Sequence, residues 1–238
     1  MCFNSIQMAD HSLKILALDT STPACSVALS IDDDVHELFE ITPRGHGQRV
    51  LAMADQLLAE AQLSVAQLDG LAFGRGPGAF TGVRIATSVV QGMAFGADLP
   101  VAPVSSLAAL AQGVYRIHGE EAVLAAIDAR MDEVYWGAYG LEAGRMVAQT
   151  RESVCAPTDI PVPQTSGWFG AGSGWAVYED ALASVCGSVL KGCDGQALPH
   201  ARDVACLAQL LFEKGETVAA EQALPIYLRD NVVKTRSA

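Results

Sequence analysis

The residues suited to chemistry gather in a few short blocks. The first is Asp19-Thr20-Ser21-Thr22. A carboxylate beside hydroxyls can hold Mg²⁺ through water and meet phosphate, so this block is a candidate phosphate loop. The same residues can instead close a hairpin, with Asp19 accepting hydrogen bonds from nearby N–H groups. The residues favour the hairpin. Pro23 removes one donor, and no glycine between Asp19 and Thr22 lets phosphate approach the backbone. The second block is Gly74, Gly76 and Gly78, within GRGPGAFTGVRI at 74–85. A glycine loop ahead of a helix can bind an anion. GRGPG is neither GxGxxG nor GxxxxGK, however, and no Lys follows. A rigid strand-to-helix turn is the expectation, with Thr81 as N-cap and Gly82 packing closely. Arg75 and Arg84 flank it, able to pair within the fold or with a partner.

Other chemistries find less support. The five His residues include no pair four apart, so no metal pair on one helical face. Six cysteines are scattered without a CxxC and read as reduced thiols. There is no GxSxG and no Cys beside an obvious His, which weakens a hydrolase reading. In DARMDE, residues 128–133, Asp128, Arg130 and Glu133 form either an electrostatic contact site or a locally paired turn. Gly170, Gly172 and Gly174 would have to supply a second phosphate contact if the chain bound nucleotide.

These blocks need a scaffold. Lys14–Thr20, Ala24–Ile31 and Val35–Ile41 read as three antiparallel strands. Gln48–Gln62 has helical spacing, Leu68–Gly74 is a short strand, and Thr81–Ala97 is a helix. Val101–Val104 is a strand, and Ser105 and Ser106 can cap a helix to about Tyr115. The pattern then restarts. AVLAAID at 122–128 echoes KILALD at 14–19, with Asp128 and Asp19 ending the two first strands. Glu133–Gly140 and Arg145–Thr150 supply further strands. Residues 156–165 form a Pro-rich loop, Trp168–Ser173 a strand into a glycine turn, and Ala201–Lys214 an amphipathic helix.

Composition sets bounds. Of 238 residues, 50% are hydrophobic and 18% charged, which gives a real core and excludes wholesale disorder. No apolar run is long enough to span a membrane, and no secretory signal is expected. The net charge of −12 makes the chain alone a poor binder of RNA or DNA. A cytoplasmic setting is the simplest expectation.

LALDTST at 16–22, GRGPGAFTGVRI at 74–85, IDARMDEVY at 127–135 and PIYLR at 225–229 occur in this order and spacing. Together they resemble the bacterial TsaB (YeaZ) family, within the actin/sugar kinase/Hsp70 (ASKHA) superfamily, from about Lys14 to Arg229. The resemblance implies an α/β fold with two tandem ribonuclease H-like βββαβα subdomains. Along the chain this gives a flexible tail at 1–12 and an N-terminal subdomain at 13–116. A C-terminal subdomain follows at 117–214, and an extension at 215–238.

The resemblance further implies a non-catalytic subunit that dimerises with and activates the TsaD transferase. That transferase makes N6-threonylcarbamoyladenosine (t6A) at position 37 of tRNAs reading ANN codons, and the ATPase TsaE joins the pair. ATP and threonylcarbamoyl-AMP serve the complex, with no cofactor bound by this chain alone and tRNA met only through the complex. The metal-binding HxxxH pair of TsaD falls on Ser106 and Leu110 here, which implies loss of the metal site. TsaB and TsaD pair through two N-terminal helices, so the implied contact set is Met53, Leu57, Arg84, Val89, Gly92, Met93 and Gly96. Without its partner such a patch can drive a homodimer. In the C-terminal tail, Arg229, Lys234 and Arg236 could meet tRNA phosphate, against the simpler expectation of a solvated tail. The alternative function is a small ASKHA-type ATPase or kinase using the Asp19–Thr22 loop.

Overall fold

The computed structural model describes residues 13–32, 34–42 and 45–229. The tail expected at 1–12, and Lys234 and Arg236, lie outside the described residues.

Strands β1 (Lys14–Asp19), β2 (Ala24–Ile31), β3 (Asp34–Ile41), β4 (Gly70–Gly74) and β5 (Val101–Val104) form one sheet in the order β3-β2-β1-β4-β5. β1 pairs antiparallel with β2 and parallel with β4. Its central place buries both faces, which is why KILALD reads as nearly unbroken apolar sequence. β3 lies at the edge and keeps the alternation of a half-buried strand. Helices α1 (His46–Glu60) and α2 (Phe80–Ala97) cover one face, packing Val50, Met53, Leu57, Ala86, Val90 and Ala94 onto Leu16, Leu18, Val27 and Phe73.

The second sheet holds β6 (Ala122–Arg130), β7 (Glu133–Glu142), β8 (Arg145–Ala148), β10 (Trp168–Ala171) and β11 (Leu190–Asp194), in the order β11-β10-β6-β7-β8. β9 (Ser153–Cys155) adds to β7. Helix α3 (Ser106–His118) lies on one face through Leu107, Leu110, Ala111 and Val114. Helix α4 (Ser173–Cys186) lies on the other through Trp175, Leu182 and Cys186. The result is two mixed sheets flanked by helices, the second sheet beginning, like the first, with an antiparallel meander of three strands.

The packing departs from the chain's own division in one respect. Residues 106–118, placed by sequence order with the first half, serve the second sheet as α3. Helix α5 (Ala201–Lys214), placed with the second half, covers the free face of the first sheet. Its Val204, Ala205 and Ala208 pack on Ile15, Ala17, Ala72, Ala102 and Val104. The two helices also meet each other, joined by Arg116 on α3 forking both oxygens of Asp203 on α5 at 2.8 Å. Asp203 is 2% exposed, so this pair is a buried tie between the halves. Sequence adjacency does not decide which sheet a helix covers; the matching of apolar stripes does.

The C-terminal extension is docked along the body as far as it is described. Val218 and Val101 exchange both backbone hydrogen bonds. Ala220 and Ala223 are buried in the first core. The Gln91 amide donates to the Ala223 carbonyl, and Ile226 N–H donates to the Arg75 carbonyl. Arg229 then pairs with Glu133 of the second half and donates to the Arg130 carbonyl. This corrects the expectation of a solvated tail: Arg229 is engaged within the chain.

Candidate functional site

Asp19, at the end of β1, is fully buried. Its Oδ1 accepts from the Ser21 N–H at 2.8 Å and the Ser21 hydroxyl at 2.7 Å, and its Oδ2 accepts from the Ser106 hydroxyl at 3.1 Å. Burial raises its carboxyl above the ordinary range, against the hydrogen bonds from Ser21 and Ser106. Thr20 donates its hydroxyl to the Gly82 carbonyl, and Ala24 N–H donates to the Thr22 hydroxyl. The whole candidate phosphate loop is thus committed to its own chain.

The glycine loop seals it. A Cβ on Gly74 would lie 1.7 Å from Asp19 Oδ2, one on Gly78 2.4 Å from the Ser21 carbonyl oxygen, and one on Gly82 1.9 Å from the Thr20 carbonyl oxygen. Ala79 N–H donates to the Ser21 carbonyl and Ser106 N–H to the Gly76 carbonyl. The loop therefore lies hard against the Thr20–Ser21 backbone, where phosphate would have to enter. Thr81 does not cap the helix. α2 begins one residue earlier with Ala79 at the N-cap, no side chain caps it, and Thr81 is exposed. Glycine backbone docking, and not a hydroxyl cap, fixes the start of α2.

The second half repeats this closure. A Cβ on Gly170 would strike the Trp175 ring at 2.4 Å, and those on Gly172 and Gly174 would meet Ala126 at 2.4 and 2.8 Å. β6 runs two residues past Asp128, to Arg130, a correction to the strand end expected from the repeat. The hairpin beyond it is tight, with Arg130, Met131 and Asp132 all at positive φ near 60°. Asp128 accepts from Arg130 N–H and pairs with its guanidinium at 3.0 Å, although Arg130 is 86% exposed there. Glu133 is held by Arg229.

A different picture holds on the outer face of α1 and α2. Met53 and Leu57, expected at a partner surface, are buried in the first core, and Met53 Sδ contacts Cys25 Sγ at 3.8 Å. They are removed from the candidate surface. Val89 and Met93 are half-buried against the same core. Arg84 is exposed but stacked in-chain: its guanidinium carbon lies 3.6 Å from the Phe80 ring centroid, and its Nε donates to the Tyr227 hydroxyl at 2.8 Å. Gly92 and Gly96 lie open, with no described atom within 4 Å of a Cβ on either. Between them in sequence Phe95 is 83% exposed, and on α1 Leu51 is 46% exposed. Neither Phe95 nor Leu51 is in the contact set that the resemblance implies. The signal was there, since both fall off the buried stripes Ala86-Val90-Ala94 and Val50-Ala54-Leu57.

Nucleophile and metal chemistry have little to work with. Among the described residues no group of three His, Cys, Asp or Glu is placed to hold a metal ion. Ser106 gives its hydroxyl to Asp19, and Leu110 is core. His46 bonds the Thr22 carbonyl, His118 pairs with Asp194 at 3.5 Å, and His200 pairs with Glu37 at 3.2 Å while stacking on Phe39. Burial pushes the Cys25 and Cys186 thiols up to about 11 and raises Cys155, Cys193 and Cys206, so these stay protonated at neutral pH.

Comparison with known proteins identifies the family. The protein-family profile described as TsaD: tRNA N6-adenosine threonylcarbamoyltransferase matches residues 39–237. The tRNA threonylcarbamoyladenosine biosynthesis protein TsaB of Escherichia coli K12 is 46% identical over 225 residues, covering 92% of this chain and 96% of that protein. Its namesake from Haemophilus influenzae is 44% identical over 231 residues, covering 93% and 96%. The solved structure of YeaZ from Pseudomonas aeruginosa superimposes with a TM-score of 0.86 at 51% identity, covering 91% of this chain and all of that one. Another structure, described as an uncharacterized protein with similarity to peptidase YEAZ from the same organism, gives 0.86 at 50%. With its motifs, its duplicated fold and these relatives in agreement, the chain belongs to the TsaB (YeaZ) family.

Proposed function

We propose that this chain is a non-catalytic accessory subunit in t6A modification of tRNA. It docks on a TsaD-type transferase through the outer face of α1 and α2 and supports that enzyme's activity, with the ATPase TsaE joining the assembly. The observation that carries the reading is the open strip Gly92-Phe95-Gly96. Glycine inside a helix costs about 1 kcal/mol relative to alanine. No described residue of the chain lies close enough to require glycine at either position. Such glycines make sense where another backbone comes close, and the exposed Phe95 between them offers an apolar anchor. The names of the relatives supply the pathway. The plugged glycine loops and protonated thiols support the non-catalytic part, so ATP and threonylcarbamoyl-AMP are assigned to the complex. A cytoplasmic setting fits tRNA work, and among the described residues no helix is long and apolar enough to cross a membrane.

The test is reconstitution. Threonylcarbamoyl-AMP synthase, TsaD, TsaE, tRNA, threonine, bicarbonate and ATP are combined with and without this chain, and t6A is measured. Modification should depend on the chain. Phe95→Asp should abolish co-elution with TsaD while leaving the circular dichroism spectrum unchanged. Full modification without the chain would reject the role. Tight Mg-ATP binding by the isolated chain would favour the ATPase reading instead.

A further inference from the structure

Arg84 is the single charged residue in α2. Two uses are open to it: an ion pair within the fold, or one with a partner. The first is not made. Arg49, Arg116, Arg130 and Arg229 each hold a carboxylate, whereas no carboxylate of the described residues pairs with Arg84. Its guanidinium is nonetheless fixed in place. The guanidinium carbon lies 3.6 Å from the Phe80 ring centroid and 5.7 Å from that of Tyr227, and Nε–H donates to the Tyr227 hydroxyl at 2.8 Å. Phe80 and Tyr227 are themselves 53% and 46% exposed. The N–H groups on Nη1 and Nη2 have no acceptor among the described residues. The surface therefore presents a cation stacked on aromatic rings, with the outer arms of its fork free.

Arg84, Ser88, Gly92 and Phe95 are all exposed and follow one another at spacings of three or four, so they form one stripe along α2. Val83, Ala86, Thr87, Val90 and Ala94 lie on the buried side. Arg84 is about 16 Å along the helix from Phe95. The stripe has an apolar end at Gly92, Phe95 and Gly96, and a cationic, aromatic end at Arg84. The C-terminal extension helps to build the second end. Its Ala223 carbonyl accepts from the Gln91 amide and its Ile226 N–H donates to the Arg75 carbonyl, and Tyr227 follows directly.

We infer that Phe80, Arg84 and Tyr227 receive an Asp or Glu side chain of the partner protein, so that the extension is part of the docking surface. The inference rests on the docking role proposed for α1 and α2. A guanidinium fork matches the paired oxygens of a carboxylate. Stacking already restricts the Arg84 side chain, so less freedom is lost when the partner arrives. The aromatic flanks help to keep water from the pair, the setting in which an interfacial arginine carries binding. RNA phosphate is a poorer fit. Neutralising a phosphate backbone takes several cations, and α2 offers one, on a chain of net charge −12.

Binding of the full chain to a TsaD-type transferase is measured by calorimetry at low and high salt. Arg84→Met should weaken it about 30-fold and flatten its salt dependence. The Tm of this variant alone should stay within about 2 °C of wild type. Arg84→Lys keeps the charge without the fork and should lose about tenfold. Among single Asp→Asn and Glu→Gln variants of the partner, one should weaken binding to wild type as Arg84→Met does, and add nothing when the two are combined. Phe95→Asp is the control on the docking role. If it leaves binding intact, the docking role and this proposal both fall. If it abolishes binding while Arg84→Met leaves Kd unchanged, the docking role stands and the proposal is overturned. Absence of any partner carboxylate coupled to Arg84 would also overturn it. So would weaker tRNA binding by the assembly in Arg84→Met at an unchanged partner Kd, because the fork would then serve phosphate.

Discussion

Glycine does opposite work in the two ends of α2. At the entry to the helix, Gly74, Gly78 and Gly82 lie where any side chain would collide with Asp19, Ser21 or Thr20. Towards the other end of the helix, Gly92 and Gly96 look onto open space among the described residues. The first group is explained by the chain itself, since it lets two backbone segments lie against each other. The second is explained by nothing among the described residues. A glycine loop near an aspartate invites a nucleotide reading, yet here the loop fills the place that phosphate would take. The informative glycines are the ones that touch nothing.

The comparison can be broken at its strong end first. Gly82→Ala should destabilise the chain by roughly 3 kcal/mol in urea unfolding, because its Cβ meets backbone and cannot be accommodated by rotating a side chain. If Gly82→Ala is nearly neutral, the loop is looser than described and the phosphate reading regains ground. At the open end, Gly92→Ala should stabilise the isolated chain by about 0.5–1 kcal/mol while weakening its complex with TsaD. Gain in stability without loss of affinity would place the partner elsewhere.

The acid in the plug offers a gentler test. Asp19 has its carboxyl raised by burial above the ordinary 3.8, against the hydrogen bonds it accepts. The native chain therefore holds this proton to higher pH than the unfolded chain. The contribution is fully present below 3.8 and is lost as pH rises through the native value. Asp19→Asn keeps an acceptor for Ser21 and removes the titration. Its urea midpoint should fall less than that of wild type between acid and neutral pH. The smallest effect is expected from Tyr227→Phe, which removes the hydroxyl accepting from exposed Arg84. A change of about 0.5 kcal/mol or less should result.

Much of the scaffold was legible because local pattern and burial agree. β1, fully buried in mid-sheet, and β3, half-buried at the edge, each carry the periodicity of their setting. The repeat was visible because both halves begin with the same kind of strand. Helix α4 gave a weak signal: its buried set is only Gly174, Trp175, Leu182 and Cys186, and the helix is kinked at Tyr178. Met53 and Leu57 entered the contact set through the family resemblance, which points to two helices without saying which face of each packs on the chain's own sheet, where both are buried. The docking of 215–229 was illegible for a plainer reason. Its anchors, Val101, Gln91, Arg75 and Glu133, are all distant in sequence.

The crossing of α3 and α5 bears on how the protein is made. The face of the first sheet built from Ile15, Ala17, Ala72, Ala102 and Val104 receives most of its cover from residues 201–214, with Ala109 of α3 adding to it. On a ribosome adding about 5–20 residues per second, that face waits roughly 5–20 s after its last strand is synthesised. Throughout that interval the nascent chain presents a largely uncovered apolar sheet to its surroundings. Neither half is therefore a free-standing folding unit. A chain stopped before residue 201 should leave the ribosome as a chaperone client, however well its first sheet is formed.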